Sequence, residues 1–485
     1  MSDLKWQALK SLKWSFLGEI ATRAIQPIPV LILARLLSPE DFGLVGVAMT
    51  LIGLSQIFQD FGLGKAIIQR ETDIEETSNI VFWSNLLLGA LVSLVIILIA
   101  PIIAVLFNES RLTNVLRVLS FQIIFTSLTT VHQALFQRNF LFKHLSLIRL
   151  SSGIVPGVVS IPMAYLGYGV WALVAGTMVG SIFQTFIFWH LTPWKPRPSY
   201  DLKLAREIYG FSIWVFLEAL LSWLILWGDS IALGYFLGVK ELGIYRLGVT
   251  LTMYIFGLVF NPILPVAYST FSRLQSQPLN LKHYLLRLTR LIAFVSLPMG
   301  AIVVVLASSL TTIVFGEKWT GLETVIAILA VKESIGWLVG ISPEIYRAMG
   351  RPDVNTKMLI ATAAYYIPAY ILFASNGLLA FTFARLGLAL VGMCLHVLVT
   401  NRLVGLSYTY LLECTKKSLV ASLLMGSFLF FMSTQINLQN TYLSVFLLFL
   451  TALMGVVIYI LTMNILDKQL LGEVKLLIIH GRGGH

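Results

Sequence analysis

The sequence predicts an all-α integral membrane protein with about fourteen transmembrane helices. Composition is the first reason. Of 485 residues, 57% are hydrophobic and only 12% are charged, about half of the roughly 25% usual for soluble domains. A soluble chain of this length would form about three domains, each with a polar surface to cover. Long apolar runs are the second reason, and a regular alternation of basic loops is the third. The same composition excludes disorder, and two cysteines exclude a disulfide scaffold or a four-thiolate metal site.

A span needs about 20 mostly apolar residues. Residues 86–106 form such a run, interrupted among polar side chains only by Ser93. Read from the N-terminus, the spans fall near 12–37, 41–66, 80–107, 113–136, 147–166, 169–191 and 207–236, then 240–272, 283–315, 321–347, 355–374, 379–402, 413–436 and 441–463. Segment 4–16, basic and bearing tryptophan, reads either as an interfacial helix or as simple basic flanking of the first span. That span is long and lacks a small-residue cleavage site, so no cleavable signal peptide is expected.

Basic residues test the map. With the N-terminus in the cytoplasm, every second loop is basic: Lys5, Lys10 and Lys13, then Lys65 and Arg70, Arg138, Lys143 and Arg149, and Lys195 to Arg206. The pattern continues through Arg273 to Arg290, Arg347 to Lys357, Arg402 to Lys417 and the tail. It places 25 of the 34 basic residues on one side. An even span count with both termini cytoplasmic follows. The net charge of +11 is therefore a topology signal, and no nucleic-acid partner is expected.

The chain also repeats itself at an offset of 200 residues. LARLLSPEDFGL at 33–44 aligns with LGYFLGVKELGI at 233–244: Leu33, Leu37 and Gly43 meet Leu233, Leu237 and Gly243, and Asp41 meets Glu241. Each stretch ends one span and opens the next through a tight acidic turn. Leu106-Phe107-Asn108-Glu109 similarly matches Val314-Phe315-Gly316-Glu317. Equivalent turns fall on the same side of the membrane, so the repeats are parallel. The expected domains are an N-terminal lobe 1–191 (spans 1–6), a cytoplasmic linker 192–206 and a C-terminal lobe 207–402 (spans 7–12). Segment 403–485 adds spans 13–14 and a cytoplasmic tail. In the linker Pro193, Pro196 and Pro198 bar a helix.

The stretches ARLLSPEDFGLVGVA (34–48), QDFGLGKAIIQR (59–70), GYFLGVKELGIYRLG (234–248) and AYSTFSRLQ (267–275) resemble Wzx-type polysaccharide exporters. These belong to the multidrug/oligosaccharidyl-lipid/polysaccharide exporter superfamily, and the likeness is to the colanic-acid and teichuronic-acid exporter branch. The resemblance implies two six-helix lobes around a central cavity, plus two C-terminal helices. It implies a flippase that moves undecaprenyl-diphosphate-linked oligosaccharide from the cytoplasmic to the outer leaflet of the bacterial inner membrane by alternating access, for exopolysaccharide biosynthesis. Membrane lipids, a polysaccharide polymerase and glycosyltransferases would be its partners. The alternative is a multidrug exporter of the same superfamily driven by an ion gradient, and a third class is a non-transporting scaffold for glycan assembly.

No enzyme site is expected. The seven histidines are scattered, with no H-E-x-x-H and no phosphate loop. No cofactor is expected beyond a coupling proton or sodium ion. Function is sought instead in polar and ionisable groups inside spans, each costly in hydrocarbon and so expected to face a cavity or a partner. Glu19, Arg23 and Gln26 share one face of span 1; Glu218, Ser222 and Asp229 one face of span 7; Arg246 and Asn261 one face of span 8. Lys332 lies in span 10, Arg385 in span 12, and Gln56 and Asp60 in span 2. With the resemblance, Arg23 and Arg246 lead as diphosphate ligands, followed by Lys332 and Arg385, with Gln26 and Asn261 beside them. Glu218, Asp229 and Asp60 are the ion-coupling candidates. The competing reading is internal ion pairing, Glu19 with Arg23 and Lys332 with Glu333. Trp214, Trp223 and Trp227 are either sugar platforms or packing residues.

Overall fold

A computed structural model describes residues 25–70, 72–407, 409–435 and 441–480. Among the described residues there is no β-strand. Thirteen helices among the described residues are long and apolar enough to cross a membrane, and the ten-residue helix α1 (Pro27–Leu36) is a shorter apolar one. About fourteen helices is therefore the architecture. Most of the expected span 1, segment 4–16, Glu19, Arg23 and the final GRGGH lie outside the described residues, as does the Trp214 side chain.

The next helices are α2 (Pro39–Asp60), α3 (Leu63–Gln69), α4 (Ile74–Leu106), α5 (Arg111–Arg138), α6 (Phe142–Tyr165), α7 (Val170–Leu191) and α8 (Leu202–Leu237). They are followed by α9 (Val239–Phe260), α10 (Ile263–Leu274), α11 (Pro278–Leu310), α12 (Leu322–Val339), α13 (Ser342–Ala348), α14 (Pro352–Ala374) and α15 (Leu378–Val404). The last are α16 (Tyr410–Thr434), α17 (Thr441–Leu466) and α18 (Lys468–His480). Two compact units form. One holds the described residues up to Leu247 together with Leu359–Leu378; the other holds Gly248–Met358 and the residues from Leu379 onward.

The 200-residue repeat is visible in the helix boundaries. α2 runs from 39 to 60 and α9 from 239 to 260; α3 starts at 63 and α10 at 263. The expected continuous spans 41–66 and 240–272 are thus each broken at one equivalent place. The chemistry of the break differs. Phe61 and Gly62 turn left-handed, at φ 45° and 76°, whereas Pro262 lacks the N–H that would continue the helix after Asn261. The expected span 321–347 is also broken, at Gly340–Ile341, between α12 and α13.

The acidic turn before α2 is a capping box. Ser38 Oγ accepts from the Asp41 N–H at 3.2 Å, and the Asp41 carboxylate accepts from the Ser38 N–H at 3.2 Å. Close by, α2 and α9 cross with almost no room. A methyl group on Gly43 would come 1.7 Å from the Val239 carbonyl oxygen, and one on Gly243 would come 1.9 Å from that of Pro39. These two contacts are reciprocal under the repeat.

Small residues also seat the following pairs. A methyl on Gly89 (α4) would fall 2.1 Å from Ser127 Oγ on α5, and one on Gly300 (α11) would fall 2.0 Å from Ser334 Oγ on α12. This is the way helices approach in a membrane, where apolar surface alone gives no preference for protein over lipid. The proline-rich stretch from Thr192 to Asp201 is not helical, and Asp201 caps α8 through the Lys203 and Leu204 N–H groups. It is tied to α4: Trp83 Nε1 donates to the Arg197 carbonyl at 2.8 Å, and Asn79 accepts from the Arg197 N–H at 2.9 Å.

Candidate functional site

Gly238, at φ 86°, reverses the chain between α8 and α9, a conformation that favours glycine. The reversal lays the last turns of α8 against the first turns of α9. Asp229, 1% exposed, accepts hydrogen bonds from Tyr245 Oη at 2.8 Å and Ser230 Oγ at 3.1 Å. Arg246 sits with its guanidinium 4.0 Å over the Trp227 ring and its Nη1 3.5 Å from Ser230 Oγ. Its aliphatic stem lies over Gly46 of α2, where a methyl would stand 3.4 Å from Arg246 Cγ.

Arg246 and Asp229, expected in different roles, therefore belong to one cluster. A guanidinium held over an indole by the ring quadrupole keeps a fixed direction, and a planar guanidinium is a group suited to phosphate oxygens. Tyr245 and Ser230 complete the cluster and are not among the residues that the sequence singles out. The Gly238 turn, two helical turns from each, is the signal that pairs them. Trp227 is the platform for Arg246, and Trp223 is buried.

The other expected residues are placed as follows. Lys332 on α12 pairs with the adjacent Glu333 carboxylate, the internal pairing the sequence also allows. Arg385 is buried, 8% exposed, on α15. Asn261 stands in the break between α9 and α10 and accepts the Leu264 N–H with its carbonyl. Glu218 is exposed on α8. Gln26, just before α1, lies against Gly153 of α6. Asp60 ends α2, where its Oδ1 accepts the Gly64 N–H at 3.2 Å, and it lines a cavity of about 290 Å³ with Gln56, Gln59, Thr126, Thr130, Gln133 and Gln137. The sequence singles out Gln56 with Asp60 but not the other uncharged neighbours. Their signal is a stripe on α5, where Gln122, Thr126, Thr130, Gln133 and Gln137 share one face. Among the described residues no group of three or more His, Cys, Asp or Glu side chains is placed to hold a metal ion.

Known proteins place this arrangement in context. The teichuronic acid biosynthesis protein TuaB of Bacillus subtilis (strain 168) is 24% identical over 361 residues, 73% of this chain and 74% of its own length. The lipopolysaccharide biosynthesis protein WzxC of Escherichia coli (strain K12) is 23% identical over 376 residues, 76% of each. Among solved structures, the lipid II flippase MurJ in an inward closed conformation superposes with a TM-score of 0.77 at 15% identity, covering 94% of this chain and 99% of that one. An inward-facing multidrug resistance MATE family transporter gives 0.58 at 16% identity, covering 81% and 96%. The fold is thus one shared with both transporter types. The family described as polysaccharide biosynthesis protein matches residues 32–324, more than half of the sequence, and includes both repeat motifs and the whole Asp229–Arg246 cluster. The chain belongs to this polysaccharide biosynthesis protein family.

Proposed function

We propose that the protein is a flippase that translocates an oligosaccharide linked to undecaprenyl diphosphate across the bacterial inner membrane, with both termini cytoplasmic, during cell-surface polysaccharide biosynthesis. The observation that carries this reading is family membership over residues 32–324 combined with a charged group directed by its neighbours inside the spans. We assign the diphosphate ligand to Arg246: its planar guanidinium, stacked on Trp227, is the type of group that contacts phosphate oxygens in bidentate fashion. Asp229 and Tyr245 fix the hairpin that aims it. Arg23 and Arg385 are the further cationic candidates. Lys332, whose ammonium meets the Glu333 carboxylate, is another. Two six-span lobes moving by alternating access, driven by a proton or sodium gradient, would move the headgroup while the prenyl chain stays in lipid.

The test is translocation of a labelled undecaprenyl-diphosphate-linked glycan by the purified protein in vesicles. Arg246→Ala is expected to slow transport at least tenfold, and Arg246→Lys to restore only part of it. Normal transport by Arg246→Ala removes Arg246 from the substrate path. Export of an organic cation in the same vesicles, with no movement of the lipid, overturns the flippase reading.

A further inference from the structure

Helix α5 is the least apolar of the thirteen spans by mean hydropathy, and its polar stripe is the cause. Such a face is stable in a membrane only against water or a polar partner. Along its last turns the stripe borders the 290 Å³ cavity, whose opposite wall is the end of α2 and the start of α3. The volume is at the small end of ligand pockets, which begin at about 300 Å³.

The unused hydrogen-bonding capacity is specific. Gln59 is fully buried, lines the cavity, and has no protein partner for either its amide nitrogen or its oxygen. Leaving such a group unsatisfied costs about 1–3 kcal/mol. Thr126 and Thr130 give their hydroxyl protons to the Gln122 and Thr126 carbonyls, at 2.9 and 3.0 Å, so their oxygens are left as acceptors. Asp60 accepts the Gly64 N–H through Oδ1. Gln133 and Gln137 add two further amides.

The balance of groups selects the ligand class. Among the described residues, Lys65 is the one cation on the wall and Asp60 the one anion. A phosphate would want several cations, a metal ion several carboxylates, and a hydrophobic drug an apolar wall. Interleaved amide donors and acceptors match neighbouring hydroxyl groups on a ring, each amide giving one bond and taking one. We propose that this cleft is a glycan subsite that holds one pyranose ring of the translocated lipid-linked oligosaccharide. The proposal rests on the flippase reading and adds where the sugar is recognised.

The test uses the full chain in detergent and two probes: the glycosylated undecaprenyl-diphosphate pool extracted from the producing cells, and undecaprenyl diphosphate alone. Gln59→Met, Gln133→Met and Thr130→Val keep side-chain shape and remove the polar atoms. Melting temperatures confirm folding, and Thr130→Val, the smallest change, serves if a glutamine variant fails to fold. Binding of the glycosylated pool is expected to weaken at least tenfold while the bare lipid binds as before. Unchanged binding of the glycosylated pool, or equal loss for both probes, overturns the subsite. So does intact glycan binding in Asp60→Asn combined with loss of sodium or pH dependence of transport, which would make the cleft an ion site. A wild-type protein that binds the glycosylated pool selectively but does not move it across vesicles overturns the flippase reading and leaves the subsite standing.

Discussion

The pair α4/α5 and its repeat counterpart α11/α12 meet by the same device and then diverge. In each, a glycine receives a serine, Gly89 with Ser127 and Gly300 with Ser334. Each serine donates to the carbonyl one turn back, Ile123 and Ala330, at 2.8 Å. Beside the first contact lies the polar cleft of Gln59 and Gln133. Beside the second lies an apolar cavity of about 550 Å³, walled by Leu297, Val304, Val305 and Ile335 with Leu423 and Phe430 of α16. The duplication has kept the close backbone approach, which tolerates only small side chains, and released the faces around it. The α8–α9 hairpin shows the same release: where the second repeat carries Tyr245 and Arg246, the first carries Val45 and Gly46.

The sharpest way to break this comparison is to fill the shared contact. Gly89→Leu and Gly300→Leu should each destabilise by about 3 kcal/mol through overpacking, seen as similar drops in melting temperature in detergent. A large drop for one and none for the other would mean that the two contacts are not equivalent. Next comes the element unique to the second repeat. Tyr245→Phe removes a 2.8 Å hydrogen bond to a buried carboxylate and should cost about 1.5–3 kcal/mol, whereas Val45→Ala on the first repeat should cost less.

Exchanging the character of the two clefts should give opposite signs. Ile335→Gln places an unpartnered amide in the apolar cavity and should cost about 1–3 kcal/mol. Gln133→Leu in the polar cleft should leave stability level or raise it, while reducing glycan binding. The smallest effect concerns the turn after α4. The Arg111 guanidinium, 2.8 Å from Glu109, holds the Glu109 carboxyl below its usual range. That pair stabilises fully above the ordinary glutamate value near 4.5 and is lost as pH falls through the lowered one. An exposed pair contributes less than about 1 kcal/mol, so Glu109→Gln should flatten only slightly the drop in melting temperature between pH 6 and pH 3.

The sequence carried the spans, the repeat and the family because each is written over many residues. Leu33, Leu37 and Gly43 against their counterparts were enough to align helices whose ends then agreed to the residue. The helix breaks were hidden because apolar composition continues through Phe61–Gly62 and Gly340–Ile341, and hydropathy has no term for a turn. Candidate-site residues were legible one at a time: Lys332 beside Glu333 is adjacent in sequence and paired in space. The joining of Asp229 to Arg246 was not, because they lie 17 positions apart and meet only through the Gly238 reversal. The glutamine and threonine stripe on α5 was passed over because the uncharged groups considered were those beside an ionisable one, such as Gln26, Gln56 and Asn261, although uncharged amides carry the same burden in hydrocarbon wherever they stand.

The crossing of α2 and α9 has an evolutionary consequence. Gly43 touches Val239 while Gly243 touches Pro39, so each glycine meets the copy of its own neighbour. A self-complementary patch of this kind is what a two-fold homodimer makes with itself. A single repeat unit carrying this patch would make the crossing between two copies, with one glycine serving both sides. A chain that carries both copies makes the crossing within one molecule, and the two sides are then free to carry different side chains around it.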